Sequence, residues 1–281
     1  MHFFTAIFVA FVGFASTVSC IPIGNLSETA LLPRQSQTQM SGCSDAQKDH
    51  IQASLIQVSG LAVGAYGVLS EDANVWKKNK GYTHYFKETD FDRVKDIYQV
   101  LMSIGGSDSK VQFNIVCAPS CAPGGFAFAD PTEEDYEGNG HTKGTRVVTI
   151  CPEFFEDERT TRDLPAAGDT DGLKRYCEFK ESKKITDFEV GGHTLLHEIS
   201  HLDSFGIAAG YPELTWKGAP FEYKYHGTVD WKGKSTAGSA RTLKNSKAKD
   251  KPETWQNAES LAAAATEMGA MWRCDMTDVS D

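Results

Sequence analysis

Apolar and polar residues alternate along this chain in a few distinct rhythms. Over residues 45–66, Ile51, Leu55, Val58, Leu61 and Ala62 recur at the three- and four-residue spacing of an amphipathic helix. The same spacing returns over residues 91–102, where Val94, Ile97, Tyr98 and Leu101 share one face and Gly105-Gly106 ends the pattern. Residues 111–116 (Val-Gln-Phe-Asn-Ile-Val) alternate with the period of two that marks a half-buried strand, and residues 146–151 offer a second strand. Between them, residues 117–144 are rich in Gly, Pro and Asp and read as a loop or hairpin. Residues 156–186 are polar and broken by Pro165, Gly168 and Gly172, which predicts irregular structure. A strongly apolar helix spans residues 190–202, and residues 206–240 carry many Gly and aromatic residues with little periodicity. A final helix spans residues 255–272, with Leu261, Ala265, Met268 and Met271 on one face. No internal repeat and no linker interrupts residues 41–281. The pattern predicts a single α+β domain, mainly helical, with a small sheet.

The longest apolar run lies at the N-terminus, from Phe3 to about Val18, and leads into small residues and then Pro22 and Gly24. Residues 1–20 therefore read as a secretory signal peptide. Residues 21–40 read as a short propeptide or flexible tail, with a glycosylation sequon at Asn25-Leu-Ser27. No later stretch approaches the roughly 18 apolar residues of a membrane span, so a secreted, extracellular protein without a membrane anchor is expected.

Cysteine usage fits that compartment. Of 7 cysteines, Cys20 falls at the end of the signal segment. Cys43, Cys117, Cys121, Cys151, Cys177 and Cys274 then form an even set suited to three disulfides. Six cysteines allow about 15 pairings, and the sequence does not choose among them. Cys117 and Cys121 have the spacing of half a zinc knuckle, but no second pair matches it, and a secreted chain would oxidise these thiols. The balance of 28 Lys+Arg against 38 Asp+Glu gives a net charge of −10. That excludes a nucleic-acid binder, which needs a basic face. Lys244, Lys247, Lys249 and Lys251 form a local basic stretch that reads as a solvated loop. The acidity itself reads first as ordinary extracellular solubility.

The chemistry lies in the helix His193-Thr-Leu-Leu-His197-Glu198-Ile-Ser-His201. Residues four apart on a helix lie one turn apart on one face. His197 and His201 can therefore bind one Zn2+ ion, while Glu198 beside them can serve as general base. Leu195, Leu196 and Ile199 supply the apolar face that a buried active-site helix needs. A catalytic zinc generally takes three protein ligands. A third histidine beyond a following Gly is absent, because Gly206 precedes Ile207. Asp203 lies two residues past His201 and points away while the helix continues, so a structural or supporting role is expected of it. His193 shares the face of the pair a turn beyond His197 and reads as a neighbour. Downstream, Tyr225-His226-Gly227-Thr228-Val229-Asp230-Trp231 leaves His226 and Asp230 open as the third ligand.

At these motifs the sequence resembles the deuterolysin, or aspzincin, family of secreted fungal zinc endopeptidases, whose fold is zincin-like. The resemblance is carried by the His-Glu-x-x-His helix, by Gly227-Thr228 followed closely by Asp230, and by Asn257-Ala258-Glu259-Ser260-Leu261 opening the last helix. The stretch from Val148 to Phe155, with its Cys151-Pro152 turn, is also similar to a family strand. The resemblance spans roughly residues 43–281. It implies that Asp230 is the third ligand of one zinc ion per chain. The family places a tyrosine shortly after that Asp as oxyanion donor. Here the stretch is Trp231-Lys232-Gly233-Lys234, so Tyr223 or Tyr225 would have to serve from the other side. The long propeptide usual in the family is also missing. These features mark a divergent member.

A secreted, monomeric zinc endopeptidase acting on protein or peptide substrates is therefore expected. The alternative, a secreted zinc-binding protein or antigen with little proteolysis, fits the missing tyrosine but gives Glu198 no task.

Overall fold

The computed structural model describes residues 38–130, 146–218 and 221–281. The signal segment, most of the proposed tail and Asn25 lie outside the described residues. Met40, the tail's last residue, is already in a strand.

A long helix, α1 (Asp45–Ser70), opens the fold. Ser44 caps it: its hydroxyl accepts from the Gln47 amide, and the Gln47 side chain accepts in return from the Ser44 amide. The helix runs four residues beyond the predicted end because Val68 and Leu69 continue the buried face. Its hydropathy of 1.4 reaches the level of a membrane span, which the sequence reading reserved for the N-terminal run. In the fold one side of α1 is core, with Ile51, Leu55, Leu61 and Leu69 fully buried. Short helices α2 (Ala73–Trp76) and α3 (Lys80–Thr83) lead to α4 (Phe91–Leu101), which buries the four residues its periodicity singled out.

The sheet has strands β1 (Met40–Ser41), β2 (Asn114–Cys117), β3 (Ala127–Asp130) and β4 (Val147–Ile150) in the order β1-β2-β4-β3. The first three in that order are parallel, and β3 lies antiparallel on the edge beside β4. Pairing shifts the first predicted strand towards Cys117, because β2 is held between β1 and β4. Its earlier residues Val111 and Phe113 are buried without joining the ladder. All four residues of β4 are buried, so that strand shows no alternation.

The segment expected to be irregular holds two short helices, α5 (Glu158–Thr161) and α6 (Thr170–Tyr176), capped by Asp157 and Asp169. Next come α7 (Gly191–His201), α8 (Asp203–Ala208) and the hairpin β5 (Leu214–Gly218) and β6 (Phe221–Tyr225). The sequence reading missed this hairpin, because glycines and aromatics obscure its alternation. The chain ends with α9 (Ala237–Asn245) and α10 (Ala258–Cys274). A 3₁₀ turn at Thr254–Gln256 takes the start predicted for the last helix. The basic stretch is less free than a solvated loop: Lys244 donates to the Thr83 carbonyl and Lys251 to the Leu243 carbonyl at the end of α9. Burial pushes the Lys244 ammonium below its ordinary pKa.

Helix α10 is buried nearly all round, and its run of small alanines lets α1, α3 and α7 pack against it. Three disulfides join distant elements: Cys43–Cys117 ties the start of α1 to β2, Cys121–Cys151 ties the loop before β3 to the end of β4, and Cys177–Cys274 ties the segment after α6 to the end of α10.

Candidate metal centre

Helix α7 runs through the core on the apolar face of Leu195, Leu196 and Ile199, all fully buried. That burial leaves His197 and His201 on another face with their rings 5.0 Å apart. The helix breaks at Leu202, whose backbone turns extended. The chain returns through β6 to Gly227, where a Cβ would lie 2.4 Å from the His201 carbonyl oxygen. A Cβ on Gly206 would lie 2.3 Å from the His226 carbonyl carbon. Only residues without side chains let the returning strand press this closely on the end of α7. Past this crossing, the Val229 amide donates to Gln256, Ala258 donates to the Val229 carbonyl, and the Trp231 amide donates to Asn257 Oδ1 at 2.8 Å. Asp230 is thus clamped on both sides.

His197, His201 and Asp230 converge there. His197 Nε2 lies 3.3 Å from His201 Nε2 and 3.2 Å from Asp230 Oδ1, and His201 Nε2 lies 3.6 Å from the same oxygen. Ligand atoms bound tetrahedrally at about 2.0–2.1 Å from zinc lie about 3.3–3.4 Å apart. The triangle therefore has the size of one face of a zinc tetrahedron. Each ring also has its other nitrogen engaged: His197 Nδ1 with Glu259 Oε2 at 3.0 Å, and His201 Nδ1 with the Thr228 carbonyl at 2.9 Å. In the neutral rings, with Nδ1 donating, both Nε2 atoms turn lone pairs towards Asp230 Oδ1, an oxygen buried in the triangle. Three acceptors facing one another repel unless a proton or a cation lies between them. This donor set of two imidazoles and a carboxylate fits zinc.

The electrostatics agree with that need. Burial opposes charge on His197, but Asp230 and Glu259 outweigh it and raise its pKa well above the ordinary histidine value. Burial likewise pushes Asp230 up, yet the neighbouring His197 carries it down to about 2. Burial holds His201 below its ordinary value. A metal entering this site therefore displaces a proton from His197.

Glu198 lies beside the centre, and burial raises its pKa to about 7. The Ala129 backbone, on the free edge of β3, faces its carboxylate and draws its pKa down against that burial. Glu198 lines a cleft of about 580 Å³ together with His193, His197, Gly124–Ala127 and Thr236–Gly238.

The other candidates divide clearly. Asp203 accepts from both the His226 amide at 2.6 Å and His226 Nδ1 at 2.8 Å, and also pairs with Arg146. That pairing holds His226 away from the triangle and gives Asp203 its structural role. His193 is buried next to His197 and contacts Thr266 at 2.9 Å. The Tyr225 hydroxyl is pushed up to about 12 by burial and by Asp230. Tyr223 belongs to β6, but its side chain lies outside the described residues. Trp231–Gly233 forms a 3₁₀ turn in which Lys232 adopts a positive φ of 58°. Sequence reasoning assigned no role to Thr228, Asn257 or Glu259. An acid in the first turn of an alanine-rich helix, within the motif Asn257-Ala258-Glu259, was the available signal for Glu259.

No protein-family profile matches the chain, and no curated protein matches it. Among solved structures, a zinc peptidase from Grifola frondosa is similar over 80% of this chain and 96% of its own, at 15% sequence identity and a TM-score of 0.45.

Proposed function

We propose that this chain is a secreted zinc endopeptidase, a divergent relative of the deuterolysins with a zincin-like fold. The triangle formed by His197 Nε2, His201 Nε2 and Asp230 Oδ1 carries the reading, because its spacing and donor set match zinc's size and ligand preference. Zinc bound there would acidify water to a pKa of about 7 and polarise a peptide carbonyl.

The protein's own residues do the rest. Glu198, with its pKa raised to about 7 in the metal-free centre, takes the proton of the attacking water and delivers it to the leaving amine nitrogen. The Ala129 backbone faces that carboxylate from the free edge of β3. An extended substrate lying along this edge would run past Glu198 into the cleft that it lines. Tyr225 stands in for the family tyrosine as oxyanion donor. Its hydroxyl keeps its proton at neutral pH, as a donor must.

Cleavage of an unfolded protein substrate tests the reading. The purified protein should cleave it, lose activity to a chelator and regain it with zinc, while Glu198→Gln should retain zinc and lose about 10²–10⁴-fold in rate. Zinc bound at one equivalent with no cleavage by the wild type would instead favour a secreted zinc-binding protein.

A further inference from the structure

Four buried polar side chains alternate across the contact between α7 and α10. Thr266 Oγ1 lies 2.9 Å from His193 Nδ1, His193 Nε2 lies 3.6 Å from Glu259 Oε1, and Glu259 Oε2 lies 3.0 Å from His197 Nδ1. The helices set this order. His193 and His197 are four residues apart on α7, and Glu259 and Thr266 are seven apart on α10, so each pair lies on one face. We infer that Glu259 is a positioning residue of the metal centre, forked between two histidines so that it fixes the ring and tautomer of His197.

The physical case rests on why a carboxylate is buried here. An isolated buried carboxylate is strongly unfavourable, so it persists only where its environment favours the anion. Glu259 sits in the first turn of α10, where the helix dipole favours negative charge. One oxygen accepts a hydrogen bond from the Nδ1–H of His197, which leaves the Nε2 lone pair directed at the metal position. The other oxygen faces His193 at 3.6 Å, and His193 is itself engaged by Thr266. The two histidine ligands are therefore supported unequally. His201 leans on the neutral carbonyl of Thr228, whereas His197 leans on an anion, which makes its imidazole the more basic donor.

The inference depends on His197 being a metal ligand, and zinc affinity separates the two claims without any assay of activity. Zinc dissociation constants would be measured by competition with a chromogenic chelator, alongside the visible spectrum of the cobalt-substituted protein. Wild type should bind one equivalent. Glu259→Gln keeps the shape but not the charge, and should bind zinc about 10–100-fold more weakly with a shifted cobalt spectrum. Glu259→Asp withdraws the carboxylate by one methylene and should not restore affinity. His193→Gln, which frees one side of the fork, should weaken zinc about 3–10-fold. A folded Glu259→Gln protein with affinity within about twofold of wild type would overturn the inference. If that variant does not fold, His193→Gln decides in the same way, and wild-type affinity there would overturn it. Failure of the wild type to bind zinc would instead remove the metal-centre reading itself.

Discussion

Gly227→Ala probes whether close packing of the return strand on α7 builds the centre. The added Cβ would lie 2.4 Å from the His201 carbonyl oxygen and 3.0 Å from its carbon. To relieve the contact, the two backbones must part by about 0.6 Å, the kind of overpacking that costs about 1–3 kcal/mol. Metal–ligand distances tolerate only about 0.2 Å of error. Thr228 and Asp230 follow closely in the chain, so the displacement reaches both the Asp230 carboxylate and the carbonyl that orients His201. The expected result is a melting temperature lower by roughly 3–10 °C and zinc affinity reduced at least about tenfold. Gly67→Ala serves as a control: no atom lies within 4 Å of its added Cβ, and it sits on the exposed side of α1. It should leave zinc binding unchanged and raise stability by about 0.4–1 kcal/mol. Differential scanning calorimetry and chelator competition on both variants give the answer. A Gly227→Ala protein that melts and binds zinc like wild type would refute the packing argument.

Three other outcomes follow from the same geometry. Asp230→Ala should lose most zinc affinity while His226→Ala keeps it, because His226 is engaged by Asp203; metal analysis of the purified variants would reveal the reverse if the ligand choice were wrong. Removing Cys177–Cys274 by a double Ser substitution opens a closure of 97 residues and should cost about 4–5 kcal/mol, against about 3–4 for Cys121–Cys151, which spans 30. Urea midpoints in the opposite order would contradict the chain-entropy account. In the metal-free protein, Asp230 and Glu259 both titrate at about 2, below unfolded values of about 3.9 and 4.3. A depressed carboxylate contributes stability that is present above the unfolded pKa and lost as pH falls through the folded one. Stability from these two groups should therefore hold above about pH 4.5 and decline towards pH 2. Asp230→Asn should flatten that decline, and an identical acid transition in the variant would count against it.

What the sequence determined by itself is local. Helical periodicity placed α1, α4 and α7 to within about a turn, because a 3.6-residue repeat is written in neighbouring residues. The same repeat put His197 and His201 on one face with Glu198 beside them, without reference to the rest of the chain. Cysteine parity foretold three disulfides but not their partners, since pairing depends on which elements meet.

The tertiary structure decided everything that needed distant segments to come together. His226 and Asp230 stand four residues apart and are chemically interchangeable as ligands. The break at Leu202 swings Asp203 onto His226, and the clamp from Gln256, Asn257 and Ala258 turns Asp230 inward. Glu259 sits 58 residues beyond His201 and meets His197 only because α10 and α7 pack side by side. Chain spacing specifies a helix face, but a site assembled from several faces exists only after the core has closed around it.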